Sequence, residues 1–388
     1  MLATPIQPAH FPWFDYSRYS FSLGLKVGER AYLSGHTASE YDPQTKRIVV
    51  RGGATEQVRT AYAKIGAILE AAGLGYSDVV RVVEYVKPEG LERYAEIAAA
   101  RAEVFGAHQP AVNTVPVKAL LRPDAFIEIE VTAGSVGPAT SLGAGLPVAR
   151  DSAGVVFLPS VQPVDDHGNV IGAGDVVAQT RAIFERAKAM LAAVGLGFDH
   201  VVKTLDYLTP VALPNYRLTG RVRREHLGPV MPAAAGILMP RLVHPEALIQ
   251  YDFIATRDEP VAVNPGWARY QKLTYSPAVR AGKLLFMSGQ GSLDPETERI
   301  LFDGDVVAQA EYTYGNILKV LAAAGGSARN LVKTIEYVTP SALARYREVA
   351  AVRSKLLVMP YPASTGLICE ALLRPEMQIE VDPFAILD

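Results

Sequence analysis

A single cysteine, Cys369, stands in 388 residues, so no disulfide framework can form within the chain and a reducing compartment is expected. Long apolar runs are missing too. No stretch comes near eighteen uninterrupted apolar residues, and Met1 to Asp15 lacks a basic region followed by an apolar core, so no membrane partner is expected and a cytoplasmic location is. Charge of one sign is absent: 38 basic residues face 40 acidic ones, and no Lys/Arg cluster is interleaved with aromatics, which argues against a nucleic-acid partner. Arg223-Arg224 reads as a solvated helix face. The seven histidines form no HxH or HExxH spacing, and no GxGxxG or Walker pattern occurs, so neither a metal nor a cofactor is expected. Apolar residues, by contrast, make up 49% of the chain, which suits a protein that buries surface between its own parts.

One segment is written three times: Val80-Arg81-Val82-Val83-Glu84-Tyr85-Val86-Lys87-Pro88, Val202-Lys203-Thr204-Leu205-Asp206-Tyr207-Leu208-Thr209-Pro210 and Val332-Lys333-Thr334-Ile335-Glu336-Tyr337-Val338-Thr339-Pro340. Gly174-Asp175-Val176-Val177-Ala178-Gln179 recurs letter for letter from Gly304 to Gln309, and Pro110-Ala111, Pro232-Ala233 and Pro362-Ala363 each open a run leading to a final strand. Arg81, Lys203 and Lys333 are spaced by 122 and 130 residues, a domain-sized period. Three tandem units are therefore expected, at residues 1–137, 138–260 and 261–388, with turn-rich surface linkers from Ser135 to Gly145 and Arg257 to Gly266.

Within each unit, a short buried strand precedes a helix of about sixteen residues whose apolar positions Val58, Ala61, Tyr62, Ile65, Ile68 and Leu69 share one face. The three helices stop at Gly73, Gly195 and Gly325. The repeated segment supplies the next strand, a second helix follows, and two strands close the unit. The order predicts an α+β fold, each unit a mixed sheet with two helices on one face. Packing the three bare sheet faces around an intrachain pseudo-threefold axis would cover them, and ligand sites then fall at the junctions.

Phe286-Met287-Ser288-Gly289-Gln290-Gly291, Gly304 to Gln309, Leu331 to Tyr337, Pro362 to Gly366 and Ile379-Glu380-Val381 together resemble the Rid/YjgF family of reactive-intermediate deaminases. The likeness covers the third unit almost completely and the other two more loosely, as in a fused Rid homotrimer. It implies inter-unit clefts that hydrolyse imines or enamines of small carboxylates. It also implies an arginine after the Pro-Ala pair, a Ser-Gly turn and a glutamate on the last strand. The arginine slot instead holds Val112, Ala234 and Ser364, so that carboxylate clamp is missing from every unit. The glutamate is Glu128 and Glu380 but Gln250 in unit 2, and the turn is Ser34-Gly35 and Ser288-Gly289 but Pro159-Ser160 in unit 2, whose site is expected to be degenerate.

Glu380 and Glu128 are candidate general acids or bases toward a C=N carbon; the alternative is an ion-paired strand, with Glu130 and Asp382 on the same face. Glu84, Asp206 and Glu336 interrupt apolar strands, and if Ile335 and Tyr337 face the helices these acids point into the ring interior. They would there pair with a neighbouring unit's cation or, with Glu336 as a candidate catalytic residue, face a ligand. Ser288, Gly289, Gln290, Ser364, Thr365, Gly366, Ser34, His36 and Asn113 are candidate substrate-binding residues, the hydroxyls and amides offering a cradle for an oxygen and His36 a proton shuttle. Cys369 reads as buried. The expected activity is hydrolysis or deamination of a small polar C=N or C–N metabolite, a cyclic, neutral or biosynthetic intermediate given the missing arginine. The alternatives are a non-catalytic metabolite-binding protein, or a cyclic amide hydrolase or chorismate-processing lyase. Further homo-oligomerisation of the whole chain stays open.

Overall fold

The computed structural model describes residues 3–141 and 148–388. In each unit the repeated segment forms the middle strand of a mixed sheet: Val79–Val86, Val201–Leu208 and Leu331–Val338. It runs antiparallel to the last strand and parallel to the Pro-Ala strand, which places Glu84, Asp206 and Glu336 beside Thr114, Gly236 and Gly366. The parallel pair is joined through the second helix, as a crossover requires. An amino-terminal hairpin extends the sheet on the other side, Arg30–Leu33, Val155–Phe157 and Leu284–Met287 lying against the last strand.

The helix Ala54–Ala71 and its equivalents Val176–Ala193 and Val306–Ala323 each span 18 residues. Asp175 and Asp305 cap two of them by accepting from the amides two and three residues on, which accounts for the Gly-Asp-Val-Val repeat. The glutamine that closes the repeat clamps the loop before the last strand: Gln309 Nε2 donates to Glu376 O at 2.7 Å and its Oε1 accepts from Gln378 N at 2.7 Å. Gln179 and Gln57 make the same two bonds in their units. At the other end Gly73, Gly195 and Gly325 take φ of 70°, 72° and 80°, a left-handed turn that costs a side-chained residue more than glycine.

Both segments read as linkers turn out to add edge strands. Ala139–Ser141 pairs with Val148–Ser152, and Pro260–Val263 with Ala278–Ala281. An extended chain beside an open sheet edge gains ladder bonds for its amides, and Pro260 at a strand's first position loses none. The remainder of the first linker, Leu142 to Gly145, lies outside the described residues.

Each unit has its own helix-side core, and two further apolar clusters contain residues of all three. One gathers Val83, Tyr85, Leu205, Tyr207, Ile335 and Tyr337, with the Tyr207 and Tyr337 hydroxyls 3.1 Å apart. The facing inferred for the repeated strand is thus reversed. Ile335 and Tyr337 look toward the other units, where they bury apolar area, and the acids turn to their own helices. Contacts between units follow one cyclic order: Asn113 donates to Leu158 O, Ala234 N to Ser288 Oγ, and Ser364 N to Ser34 Oγ. Strand pairing joins Ile237-Leu238 to Ala371-Leu372 and Leu367-Ile368 to Ala119-Leu120.

Candidate active site

The last strand of each unit presents two polar residues, spaced two apart, to the neighbouring unit. The second is always consumed by an ion pair across a seam. Lys203 reaches Asp382 and also donates to Met287 O at 2.5 Å, Lys333 lies 3.0 Å from Glu130, and Arg81 lies 3.5 Å from Asp252. These pairs run in a cycle through units 1, 2 and 3. The first residue of each pair, Glu128, Gln250 or Glu380, is left to the seam itself.

At the seam between units 2 and 3, Glu380 borders a cavity of about 590 Å³. The residue is 7% exposed, and its carboxylate makes no hydrogen bond among the described residues. Burial, then the negative Asp382 beside it, pushes its pKa up to about 8, against the pull of Lys203. Gly289 N donates to Ala234 O at 3.0 Å, and a Cβ on Gly289 would collide with Glu380 Oε1. The glycine is therefore what lets the acid reach the cavity. Ser288 is spent holding the seam: its hydroxyl donates to Ser276 O at 2.6 Å and accepts from Ala234 N at 2.8 Å. Gln290 lines the cavity but is tied by its amide to Val381 O at 2.9 Å and by its side chain to Ser288 O at 3.2 Å.

The seam between units 3 and 1 repeats the arrangement with other consequences. Glu128 likewise rises to about 8, through burial, despite the nearby Lys333. Ser34 is a latch like Ser288, donating to Ser22 O and accepting from Ser364 N. His36 is buried, with Phe11 at 6.3 Å; desolvation and the charges of Lys64 and Lys333 press its pKa down to about 3. The ring stays neutral near pH 7, so the expected proton shuttle is not supported. Lys64, under the Phe14 ring, is tied to Thr37 O and Ser39 O. Thr365 faces the ion-pair layer, donating to Glu130 at 2.7 Å and accepting from Lys333 at 3.0 Å. Ser364 O accepts from Gly35 N at 3.3 Å, and Gly366 packs under Leu121 and Tyr346. The oxygen cradle expected from Ser364, Thr365 and Gly366 is thus occupied by packing and ion-pair geometry.

Between units 1 and 2 the seam is sealed by hydrogen bonds. Asn113 accepts from Arg81 at 2.8 Å and donates to Leu158 O at 3.2 Å, Gln250 donates to Thr114 O at 2.8 Å, and Ser160 donates to Asp252 at 2.6 Å. Asn113, fully buried, is a seam residue and not a ligand contact.

Glu336 lies on the helix side of the sheet, paired with Arg353 at 2.7 Å and bonded by Tyr314 and Tyr346. Burial opposes its charge, yet Arg353 and the hydroxyls hold its pKa below the usual carboxylate range. Such an acid is a structural anchor. Glu84 pairs with Arg101 and Asp206 with Arg223 in the same way, each through a cation of its own unit and not the neighbour's. The signal was present in the sequence: in all three units a tyrosine stands 10 residues and an arginine 17 residues after the acid. Also missed were Arg269 and Tyr275 at the cavity, which come from the segment before the strand Ala278–Ala281.

A sequence model of the family described as Endoribonuclease L-PSP matches residues 16–135, 149–257 and 269–387. A RutC family protein of Pyrococcus horikoshii is 36% identical over 113 residues, 29% of this chain and 85% of its own length. The 2-iminobutanoate/2-iminopropanoate deaminase of Mus musculus is 35% identical over 81 residues, 21% of this chain and 53% of its own. Among solved structures, the YjgF gene product of E. coli is 28% identical, with a TM-score of 0.26, over 34% of this chain and 91% of that one.

Proposed function

The chain belongs to the Rid family, in three tandem copies, and on that footing we propose that it hydrolyses a small imine or enamine at the seam between units 2 and 3. The observation that carries the reading is Glu380: a buried carboxyl without a hydrogen-bond partner, poised near pH 8 at the wall of a cavity large enough for a metabolite. In its acid form it protonates the imine nitrogen or enamine carbon. The resulting carboxylate takes a proton from water as the water oxygen bonds to the carbon, giving a carbinolamine. Returning that proton to nitrogen breaks the C–N bond and releases ammonia, while the Glu380 carboxylate so formed takes the hydroxyl proton and leaves the carbonyl. Gly289 gives the acid access, and the seam latches fix the walls. The formal charge of −2 supports a small substrate over a polyanion.

Three unequal seams in one pseudo-trimeric chain also fit this reading. Fusion keeps assembly intramolecular at high effective concentration and lets each seam diverge. The experiment is ammonia release from imines generated in situ by an amino-acid oxidase. Glu380→Gln is expected to lose at least ~10²-fold in rate, with Glu128→Gln close to the parent chain. Unchanged release by Glu380→Gln overturns the proposal. The vacant arginine slot at Ala234 favours one second reading, a cleft that binds but does not turn over, for which ligand binding without ammonia is the signature.

A further inference from the structure

The cavity beside Glu380 is lopsided in charge. Arg217, Arg223, Arg224, Arg269, Lys272 and Arg374 line it, and among the described residues Glu380 is the one acid that does. Of the six cations only Arg223 has a carboxylate partner among the described residues, Asp206 at 2.8 Å. A site that gathers unpaired cations around a buried acid favours anionic guests, since the guest supplies the missing counter-charge.

Arg269 is the best placed of them. It stands on the turn Ala268–Lys272, its guanidinium 5.2 Å from the centre of the Tyr270 ring, and its Nε is buried without a hydrogen-bond partner. Arg269, the half-buried Tyr275 and Glu380 line the same cavity, so cation and acid share one wall; burial raises the pKa of the Tyr275 hydroxyl, with Arg269 pulling it down and Glu380 pushing it up. The corresponding stretch of unit 1, Trp13-Phe14-Asp15-Tyr16 against Trp267-Ala268-Arg269-Tyr270, carries an acid in place of this arginine. Asp15 there turns to the surface and accepts from Ser17 and Arg18 at 3.0 Å. The cation therefore belongs to this seam and is not a general feature of the repeat. It supplies a planar fork in the same cleft where Ala234 leaves none.

We infer that the seam between units 2 and 3 takes a dianionic imine and its keto product, with Arg269 as the specificity-determining cation for one acid group and the surplus of Arg224, Lys272 and Arg374 favouring the second. The inference deepens the proposed function and rests on it for the imine; the charge preference is measurable without turnover. Calorimetric titration of the full chain with 2-oxoglutarate and with 2-oxobutanoate is expected to show the dianion bound at least tenfold tighter. Arg269→Gln should weaken 2-oxoglutarate at least tenfold, Arg269→Lys should recover part of the loss, and Glu380→Gln should still bind it. Equal affinity for the two acids, no binding of either, or an unchanged Arg269→Gln overturns the inference, and the comparison of the two acids on the parent chain stands even if the variant misfolds. Arg269-dependent binding without ammonia release from any imine would sink the hydrolase reading alone. Ammonia release indifferent to Arg269 would do the reverse.

Discussion

The rate of ammonia release should fall as pH rises through about 8, because the working form of the free protein carries a proton on Glu380. A single group of that pKa is about nine-tenths protonated at pH 7 and about one-tenth at pH 9, so kcat/KM should drop roughly tenfold between them. Stability follows the same proton. The native pKa lies above the ordinary carboxyl value of 4.5, so the folded chain holds the proton more tightly than the unfolded one. The stabilisation from that proton is complete below about 4.5 and is lost as pH climbs through about 8. Glu380→Gln has no such proton to lose. It should therefore be more stable than the parent at pH 8.5, on the order of 4–5 kcal/mol, with the gap shrinking below about 1 kcal/mol at pH 5. Urea melts at the two pH values, beside a glutamate-dehydrogenase-coupled ammonia assay, measure both effects. An inflection near 8 that survives in Glu380→Gln, or a stability gap that does not widen with pH, refutes the assignment.

Arg353→Leu leaves Glu336 fully buried without its counter-charge and should cost about 3–5 kcal/mol in a urea melt. A loss under about 1 kcal/mol would show that the pair is not the anchor described. Gly289→Ala drives a methyl into Glu380 Oε1 and to 3.1 Å from Ala235 Cβ, so ammonia release should fall at least ~10-fold with circular dichroism unchanged. Full activity in that variant would separate Glu380 from the chemistry. Residues 265–388 alone would expose Ile335, Tyr337 and Phe286, which in the whole chain sit in shared clusters, and should self-associate in sedimentation. A stable monomer would contradict the dependence of each unit on its neighbours.

The repeat made most of the fold readable, because periodicity and turn chemistry are local. The 18-residue helices, their glycine stops and the strand order follow from patterns within about twenty residues. Facing was not local. Alternation says that Glu336 and Tyr337 point opposite ways, but which side meets the helices depended on Arg353, seventeen residues downstream. The edge strands Ala139–Ser141 and Pro260–Val263 escaped notice because their partners, not their own residues, make them strands. At the site, Glu380 and Gly289 could be named from the family pattern, whereas Ser34, Ser288, Asn113 and Thr365 are polar residues consumed by the seams. Sequence shows that such a side chain can bond; only the neighbouring unit decides with what. Arg269 lay outside every repeated motif, since its counterpart in unit 1 is Asp15.

A crystal structure of the full chain soaked with 2-oxoglutarate tests the siting of the chemistry most directly. The expected result is one ligand in the seam between units 2 and 3, its keto oxygen toward Glu380 and a carboxylate on Arg269. Ligand confined to the Glu128 seam, or lodged in a second cavity that Arg81, Lys203 and Lys333 line, would contradict it.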